Sequence, residues 1–270
     1  MVSDFLIPFR EGLEAALIVG IILAYLFKSN GQGYVKYVLA GVAVAIVASI
    51  VTAIAFQSVA GGFSGTSEQL FEGVTMLLAA AVLTYVIFWM ARLQHTKHIE
   101  TKVKQHVDAG HAWGLFALSF FAVYREGVEL VLFMGAAFFA ASDVSLPLAA
   151  AGLASAAVVG FLVFKTAMHF HLKKIFNVTG ILLILFAAGL VAHGVHEFQE
   201  ASVLPTPYGK VWNTNGILDE KSTVGTFAKA LFGYNGDPFD LEAAAYFVYL
   251  LLIGFLYLRP TPAVSKGAAG

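Results

Sequence analysis

Residues 10–14 read Arg-Glu-Gly-Leu-Glu, and residues 125–129 read Arg-Glu-Gly-Val-Glu. Both motifs lie inside long apolar runs, where a charged side chain at the centre of a membrane helix costs about 2.5–3.5 kcal/mol. Because charges inside a bilayer are expensive, their presence points to a function rather than to packing. These two motifs therefore determine both the predicted fold and the predicted site.

The apolar runs around and after the motifs are long enough to cross a bilayer. Seven of them fall at about 5–27, 35–59, 69–91, 113–141, 147–168, 175–199 and 243–258. The chain is 59% hydrophobic and 12% charged, whereas soluble domains carry about 25% charged residues. We therefore predict an all-α, multi-pass membrane protein with seven transmembrane helices, embedded in a lipid bilayer. The composition excludes a soluble enzyme and a disordered chain, and the net charge of -1 excludes a nucleic-acid binder.

The two motifs lie three predicted helices apart, so the second copy enters the membrane from the opposite side. This spacing predicts an inverted repeat of three plus three helices followed by a seventh, as in many secondary transporters. We expect one transmembrane domain over residues 1–258 and a tail over 259–270. Within the domain we expect repeat one at about 1–92, repeat two at about 113–200, a loop at 201–242 and the seventh helix at 243–258.

The distribution of lysine and arginine predicts the orientation of the chain in the membrane. Eleven of the 16 basic residues fall in connections or ends on one side, three fall in the 201–242 loop, and Arg10 and Arg125 lie within helices. The side with more basic residues is expected to be cytoplasmic. The N-terminus and the 201–242 loop are therefore predicted outside, and the C-terminus in the cytoplasm.

Within each motif, the spacing brings the charges onto nearby faces of one helix. The arginine and the last glutamate are four residues apart, so they can pair, and the two glutamates are three apart, so they point in similar directions. One arginine against two glutamates leaves excess negative charge that favours a bound cation. A purely structural ion pair would need one glutamate per arginine. The side chains concerned are Arg10, Glu11, Glu14, Arg125, Glu126 and Glu129.

A second group of metal-ligating side chains is predicted at the outer ends of the third and sixth helices. Glu68 and Glu72 are four residues apart at the start of the third helix. Histidines and carboxylates crowd the end of the sixth, at His193, His196, Glu197 and Glu200. These residues suggest an outer metal site, although single interfacial carboxylates and histidines are often merely solvated.

Carboxylate oxygens are hard ligands, and the chain has no cysteine and only five methionines, so copper(I) and thiolate-bound zinc are poor fits. Iron, manganese, magnesium and calcium stay open on these grounds. A membrane di-iron enzyme is disfavoured, because such bundles usually carry Glu-x-x-His pairs and this sequence has none. We therefore expect a transporter rather than an enzyme, with another divalent metal such as manganese or lead as the alternative substrate.

The paired motifs at 10–14 and 125–129 resemble the repeated Arg-Glu-Gly-Leu-Glu motifs of the oxidase-dependent iron permeases, and the second copy departs by Val128 alone. The stretch from Glu68 to Gly73 with its following apolar run, and Phe232-Gly233-Tyr234, are similar to the bacterial branch of that family. The resemblance implies a seven-helix plasma-membrane permease that imports iron, delivered as Fe³⁺ after oxidation.

The resemblance also implies roles for individual residues and a partner. The glutamates at 11, 14, 126 and 129 would be iron ligands, and Arg10 and Arg125 would tune their charge. Family members work with an iron-oxidising protein, either a multicopper oxidase or periplasmic cupredoxin-like and haem peroxidase proteins. No permanently bound cofactor is expected, and the iron ion is the transported substrate.

Overall fold

The computed structural model describes residues 2–29, 31–91, 111–141, 144–166, 172–220 and 222–258. Within these ranges the chain forms eight α-helices and no strand longer than one isolated bridge. The helices are α1 (Val2–Lys28), α2 (Val35–Ala60), α3 (Thr66–Ala91), α4 (Ala112–Ala141), α5 (Leu146–Thr166), α6 (Leu172–Glu200), α7 (Thr223–Phe232) and α8 (Asp240–Leu258). The prediction of an all-α fold is confirmed, and each predicted span corresponds to one long helix. The predicted tail at 259–270 lies outside the described residues.

Among the described residues, four helical stretches are long and apolar enough to cross a membrane. They are Gln32–Ala60, Thr66–Phe88, Thr179–Glu200 and Asp240–Leu258. A shorter apolar stretch, Leu146–Leu162, lies in α5. The remaining long helices, α1 and α4, carry the two charged motifs, and these charges interrupt their apolar runs.

The first three helices pack against the next three in a pattern that repeats itself. Helix α1 packs along α5, and α4 packs along α2. Gly152 of α5 lies against the backbone of Phe5, and Gly160 lies against Ala16, so α1 and α5 are parallel. Gly41 of α2 lies against Phe116 of α4, and Ser49 of α2 lies against Gly127 of α4, so α2 and α4 are also parallel. Each of these pairs joins the first helix of one repeat to the second helix of the other, as expected for two related halves.

The third helices of the two halves, α3 and α6, pack against each other in opposite directions. Gly73 and Gly194 lie at their closest approach, where a β-carbon on either residue would crowd the carbonyl oxygen of the other. Gln69 Nε2 donates to Glu200 Oε2 at 3.2 Å nearer the end of the pair. Helix α8 packs on α6 as an addition to the six-helix arrangement.

Along α1 and α4, two apolar clusters flank the charged motifs. The larger cluster joins α1, α3, α4, α6 and α8, and its fully buried members include Ile7, Met76, Leu83, Phe133 and Leu190. The smaller cluster joins the end of α1 to the starts of α2 and α4, and consists of Ile22, Leu26, Val38 and Leu115 with partly buried neighbours. Helix α1 therefore runs antiparallel to α4, with the charged motifs between the clusters.

The predicted loop over residues 201–242, between α6 and α8, contains a short helix. This helix, α7, begins after Ser222, whose hydroxyl accepts from Gly225 N at 3.0 Å, and ends at Gly233 in the left-handed conformation. Lys210 forms an ion pair with Asp237 and an isolated bridge with Phe239. These contacts fold the segment back onto the start of α8.

Candidate metal site between the two repeats

The first motif is sealed inside the bundle. Arg10 Nη1 lies 2.6 Å from Glu11 Oε1, and its Nη2 lies 2.9 Å from Glu14 Oε1. All three side chains are at most 6% exposed. The predicted pairing of Arg10 with Glu14, four residues later, is confirmed, and the long arginine side chain also reaches the adjacent Glu11.

The second motif has the same pairing but is more open. Arg125 Nη2 lies 2.7 Å from Glu126 Oε1, and its Nε lies 3.6 Å from Glu129 Oε1. Glu126 is buried, whereas Arg125 is 41% exposed and Glu129 is 12% exposed. Each arginine therefore holds both glutamates of its own motif, in two different surroundings.

Three of the four motif glutamates converge where α1 meets α4. Glu11, Glu126 and Glu129 each offer a carboxylate oxygen, and these atoms lie within 4.8 Å of one another. Among the described residues, the Oε2 atom of each of the three is buried without a hydrogen-bond partner. Oxygens bound to one hard cation lie about 2.0–2.6 Å from it, so small side-chain rotations let these three share an ion.

The charge of the site favours a cation over an empty pocket. Four glutamates against two arginines leave two excess negative charges in a buried position, and buried charges are costly unless they are paired. Glu14 is buried beside this group but is not one of the three convergent ligands. The arrangement can thus bind a cation directly through three carboxylates and keep a fourth nearby.

The glycine of each motif lets a helix from the other repeat approach closely. A β-carbon at Gly127 would overlap Ser49 of α2, and one at Gly12 would lie 3.0 Å from Ala156 Cβ of α5. Small residues at helix contacts allow such close approach in membranes. The glycines therefore fix the helices that carry the glutamates.

The carboxylates predicted at the outer ends of α3 and α6 lie near one another but are less tightly gathered. Glu72 and Glu197 flank the close contact of Gly73 with Gly194, and Glu68 lies one turn nearer the start of α3. In the part of the chain that the structure describes, no second group of three metal-ligating side chains converges as closely as the central one. These residues form a negatively charged surface rather than a closed ligand set.

His196 belongs to a network that includes a glutamate absent from the predicted site. Its Nδ1 lies 3.0 Å from Glu242 Oε2, and its Nε2 lies 3.2 Å from Glu200 Oε1. Glu242 is 1% exposed and also accepts from Asn235 Nδ2 at 2.6 Å. An acidic residue in the first turn of α8 looks like an ordinary helix-terminus charge, and only the fold brings it to His196.

His193 lies apart from the outer carboxylates. Its Nδ1 is 2.9 Å from Gly189 O, and its buried Nε2 has no hydrogen-bond partner among the described residues. The ring lines a cavity of about 10 Å³ together with Ser3, Leu190 and Lys229. This space suits one water molecule, and the nearby ammonium makes it a poor place for a resident cation.

The geometry is thus that of buried carboxylates shared by two inverted halves of a membrane protein. The chain matches the iron permease FTR1 family over residues 1–263. The chain belongs to the FTR1 iron permease family. Its members are permeases, so the prediction of a transporter rather than an enzyme is confirmed, as is the resemblance found in the motifs.

Individual relatives are similar over nearly their whole length. The chain is 35% identical to the ferrous iron permease EfeU of Yersinia pestis over 274 residues, covering 100% of this chain and 97% of the relative. It is 34% identical to EfeU of Escherichia coli O6:K15:H31 over 265 residues, covering 95% of each. The EfeU protein of Shigella sonnei is 34% identical over 258 residues, covering 93% of each chain. No solved structure matches the chain.

Proposed function

We propose that this permease imports iron across the plasma membrane, with the glutamates of the paired motifs as the ligands along the path. The observation that carries the proposal is the convergence of Glu11, Glu126 and Glu129, each with a buried oxygen that has no hydrogen-bond partner in the part of the chain that the structure describes. Each repeat contributes to this group, so a movement of one half against the other changes the ligand set around the ion. Arg10 and Arg125 limit the excess charge and hold the carboxylates in position.

In the proposed path, iron first meets the carboxylates at the start of α3 and the end of α6, on the outer side. Glu68, Glu72 and Glu197 provide negative charge there, and His196 adds an imidazole. His193 lies deeper, between this outer group and the central glutamates. Iron then reaches the central site, where Glu14 takes over as a ligand when the two halves move, and leaves on the cytoplasmic side.

The proposed orientation follows the distribution of basic residues. The N-terminus and the segment over 201–242 lie outside, and the C-terminus lies in the cytoplasm. Residues 1–258 act as one permease domain in two inverted halves, about 1–92 and 113–200, completed by the seventh span at 243–258.

We propose Fe³⁺ as the ion at the central site, because carboxylates are hard ligands and the site carries two excess negative charges. The relatives are named ferrous iron permeases, which makes Fe²⁺ the competing species. An iron-oxidising partner would connect the two, since it would oxidise Fe²⁺ outside, transfer the electron to the partner's own oxidant and pass Fe³⁺ to the permease.

Uptake into proteoliposomes tests this proposal. Purified protein is reconstituted, and uptake of Fe²⁺, of Fe³⁺ kept soluble by citrate, and of Mn²⁺ is compared with and without a candidate oxidase. Iron uptake is expected with the unmodified protein, and it should be abolished by Glu126→Gln or Glu129→Gln. Asp237→Asn, which removes a carboxylate from the 201–242 segment, is the matched control and should keep uptake.

The same assay separates the alternatives. Uptake of Mn²⁺ in preference to both iron ions would replace the proposed substrate by another divalent metal. Uptake of Fe²⁺ without an oxidase would correct the oxidation state and remove the need for the partner. Normal iron uptake by Glu126→Gln would contradict the assignment of the central ligands.

A further inference from the structure

Four apolar side chains lie between the outer carboxylates and the central glutamates. Ile7 comes four residues before Glu11 on α1, and Phe133 comes four residues after Glu129 on α4. Both lie one helical turn from the central site, towards the end of the bundle where α3 begins. They come from the two repeats and belong to the same larger apolar cluster.

The other two side chains approach from the opposite direction. Met76 lies one turn inside Glu72 on α3, and Leu190 lies two turns inside Glu197 on α6. They belong to the same cluster as Ile7 and Phe133, and all four are at most 1% exposed. A layer of buried apolar side chains from both repeats therefore lies between the two groups of carboxylates.

A cation cannot cross such a layer as it stands. Removing an ion from water without replacing its ligands is far more costly than a single unpaired polar group, and hydrophobic constrictions close pathways by excluding water. The layer also borders a packing defect, because Leu190 lines the cavity that His193 and Lys229 share. The void beside Leu190 gives that side chain room to move. Among the described residues, the Nε2 atom of His193, which borders the same void, has no hydrogen-bond partner.

The opposite side of the central site is covered by the smaller cluster. Its buried members are Ile22, Leu26, Val38 and Leu115. Apolar packing therefore covers the central glutamates towards both ends of α1 and α4, while Arg125 is 41% exposed and Glu129 is 12% exposed.

We infer that Ile7, Met76, Phe133 and Leu190 form the outer gate of the transport path, and that they separate when the two halves move to admit the ion. This assignment rests on the proposed iron transport. It differs from an ordinary core in one testable respect, because a gate becomes accessible to water during transport and a core does not.

The absence of cysteine from the chain makes single-cysteine accessibility the direct test. Met76→Cys is reconstituted, and its reaction with a membrane-impermeant methanethiosulfonate reagent is followed with and without iron while uptake is measured in the same vesicles. A shift of a minor open state from about 1% to about 10% corresponds to a tenfold rise in accessibility, and we expect labelling of Met76→Cys to rise by about this factor during iron uptake. Ala45→Cys, equally buried on α2 but outside the cluster, should stay unreactive in both conditions.

A second pair of variants keeps the test informative if one substitution disturbs the protein. Leu190→Ala should let Met76→Cys react without iron, because it enlarges the void beside the gate. Leu83→Ala is the matched control, since it removes the same atoms from a fully buried position in the same cluster, two turns deeper on α3.

The outcomes distinguish the gate from the proposed function. Iron uptake by Met76→Cys with no change in labelling would overturn the gate and leave the transport proposal standing. Equal labelling of Met76→Cys and Ala45→Cys during uptake would also overturn it. No iron uptake by the cysteine-free protein itself would count against the proposed function instead.

Discussion

The two charged motifs have almost the same sequence and different surroundings. In the first, Arg10, Glu11 and Glu14 are all buried, whereas in the second Arg125 is 41% exposed above a buried Glu126. Four residues out of five are identical, and in both motifs the arginine binds both of its glutamates. The repeat therefore sets the number and pairing of charges, while the packing of the other helices sets their access to the surroundings.

This difference also appears in the central group of carboxylates. Both glutamates of the open motif (residues 125–129) belong to the convergent group, but Glu11 is the one member from the sealed motif (residues 10–14). Glu14 stays with Arg10. The open motif therefore provides most of the ligands and the sealed motif provides more of the structural ion pairing, a division that substitutions in matched positions can test.

The largest difference is expected between Arg10→Ala and Arg125→Ala. Removal of one partner of a buried ion pair destabilises a protein by about 3–5 kcal/mol, and Arg10 compensates two buried glutamates. Arg125 is more than a third exposed, so water can reach the space that it leaves. Arg10→Ala should lose most of the folded protein on size-exclusion chromatography after extraction in detergent, and Arg125→Ala should keep a larger share.

The charge explanation has its own control. Adding Glu11→Gln and Glu14→Gln to Arg10→Ala removes the uncompensated carboxylates, and should restore folded protein without restoring iron uptake. Equal losses for the two arginine variants would show that the exposure of Arg125 has no energetic consequence.

A smaller difference is expected between Glu129→Gln and Glu14→Gln in iron binding. Glu129 is one of the three convergent ligands, and the loss of one ligand should weaken binding by about tenfold or more, equal to about 1.4 kcal/mol. Glu14 lies outside that group, so Glu14→Gln should weaken binding by less, although it should still impair uptake. The concentration of iron that gives half-maximal binding to the purified variants measures both effects. Stronger loss of binding by Glu14→Gln would invert the division between the motifs.

The fold could be predicted because membrane helices are determined mainly by length and apolar composition. The predicted boundaries agree with those of the long helices to within a few residues at each end. Helix α7 was missed, although Ser222 before it and Gly233 after it are typical boundary residues. A helix of ten residues is too short to leave a long apolar run in the sequence, and apolar length was the signal used to find the other helices.

The site was predictable in its residue types and less so in its contacts. The doubled motif alone points to buried glutamates held by arginines. The unequal burial of Arg10 and Arg125 cannot be obtained from two nearly identical motifs, because it depends on which helices cover them. The partnership of His196 with Glu242 joins residues 46 positions apart, and no local pattern predicts it.

The motif glycines provide a third comparison, at the level of packing. Gly127→Ala places a β-carbon against both side-chain atoms of Ser49, whereas Gly12→Ala meets Ala156 and Leu153 at 3.0–3.1 Å. Overpacking costs about 1–3 kcal/mol, and Gly127→Ala should lie at the upper end because Ser49 has no flexible end to move. Its thermal unfolding midpoint should fall further than that of Gly12→Ala. Combining Gly127→Ala with Ser49→Gly should recover most of the loss, and failure to recover would point to a backbone effect instead.

The smallest expected difference concerns the residue that precedes each arginine, which is Phe9 in the first motif and Tyr124 in the second. The Tyr124 hydroxyl lies 3.1 Å from Thr52 Oγ1 of α2, and since Thr52 already donates to Ala48 O at 2.9 Å, the tyrosine is the donor. Tyr124→Phe makes the two motifs alike and leaves Thr52 with its own bond intact. We expect a loss near the lower end of the 0.5–1.5 kcal/mol typical of one hydrogen bond, measured by thermal unfolding, with iron uptake unchanged. Loss of uptake at unchanged stability would place the hydroxyl on the transport path, and the open motif would then differ from the sealed one in chemistry as well as in exposure.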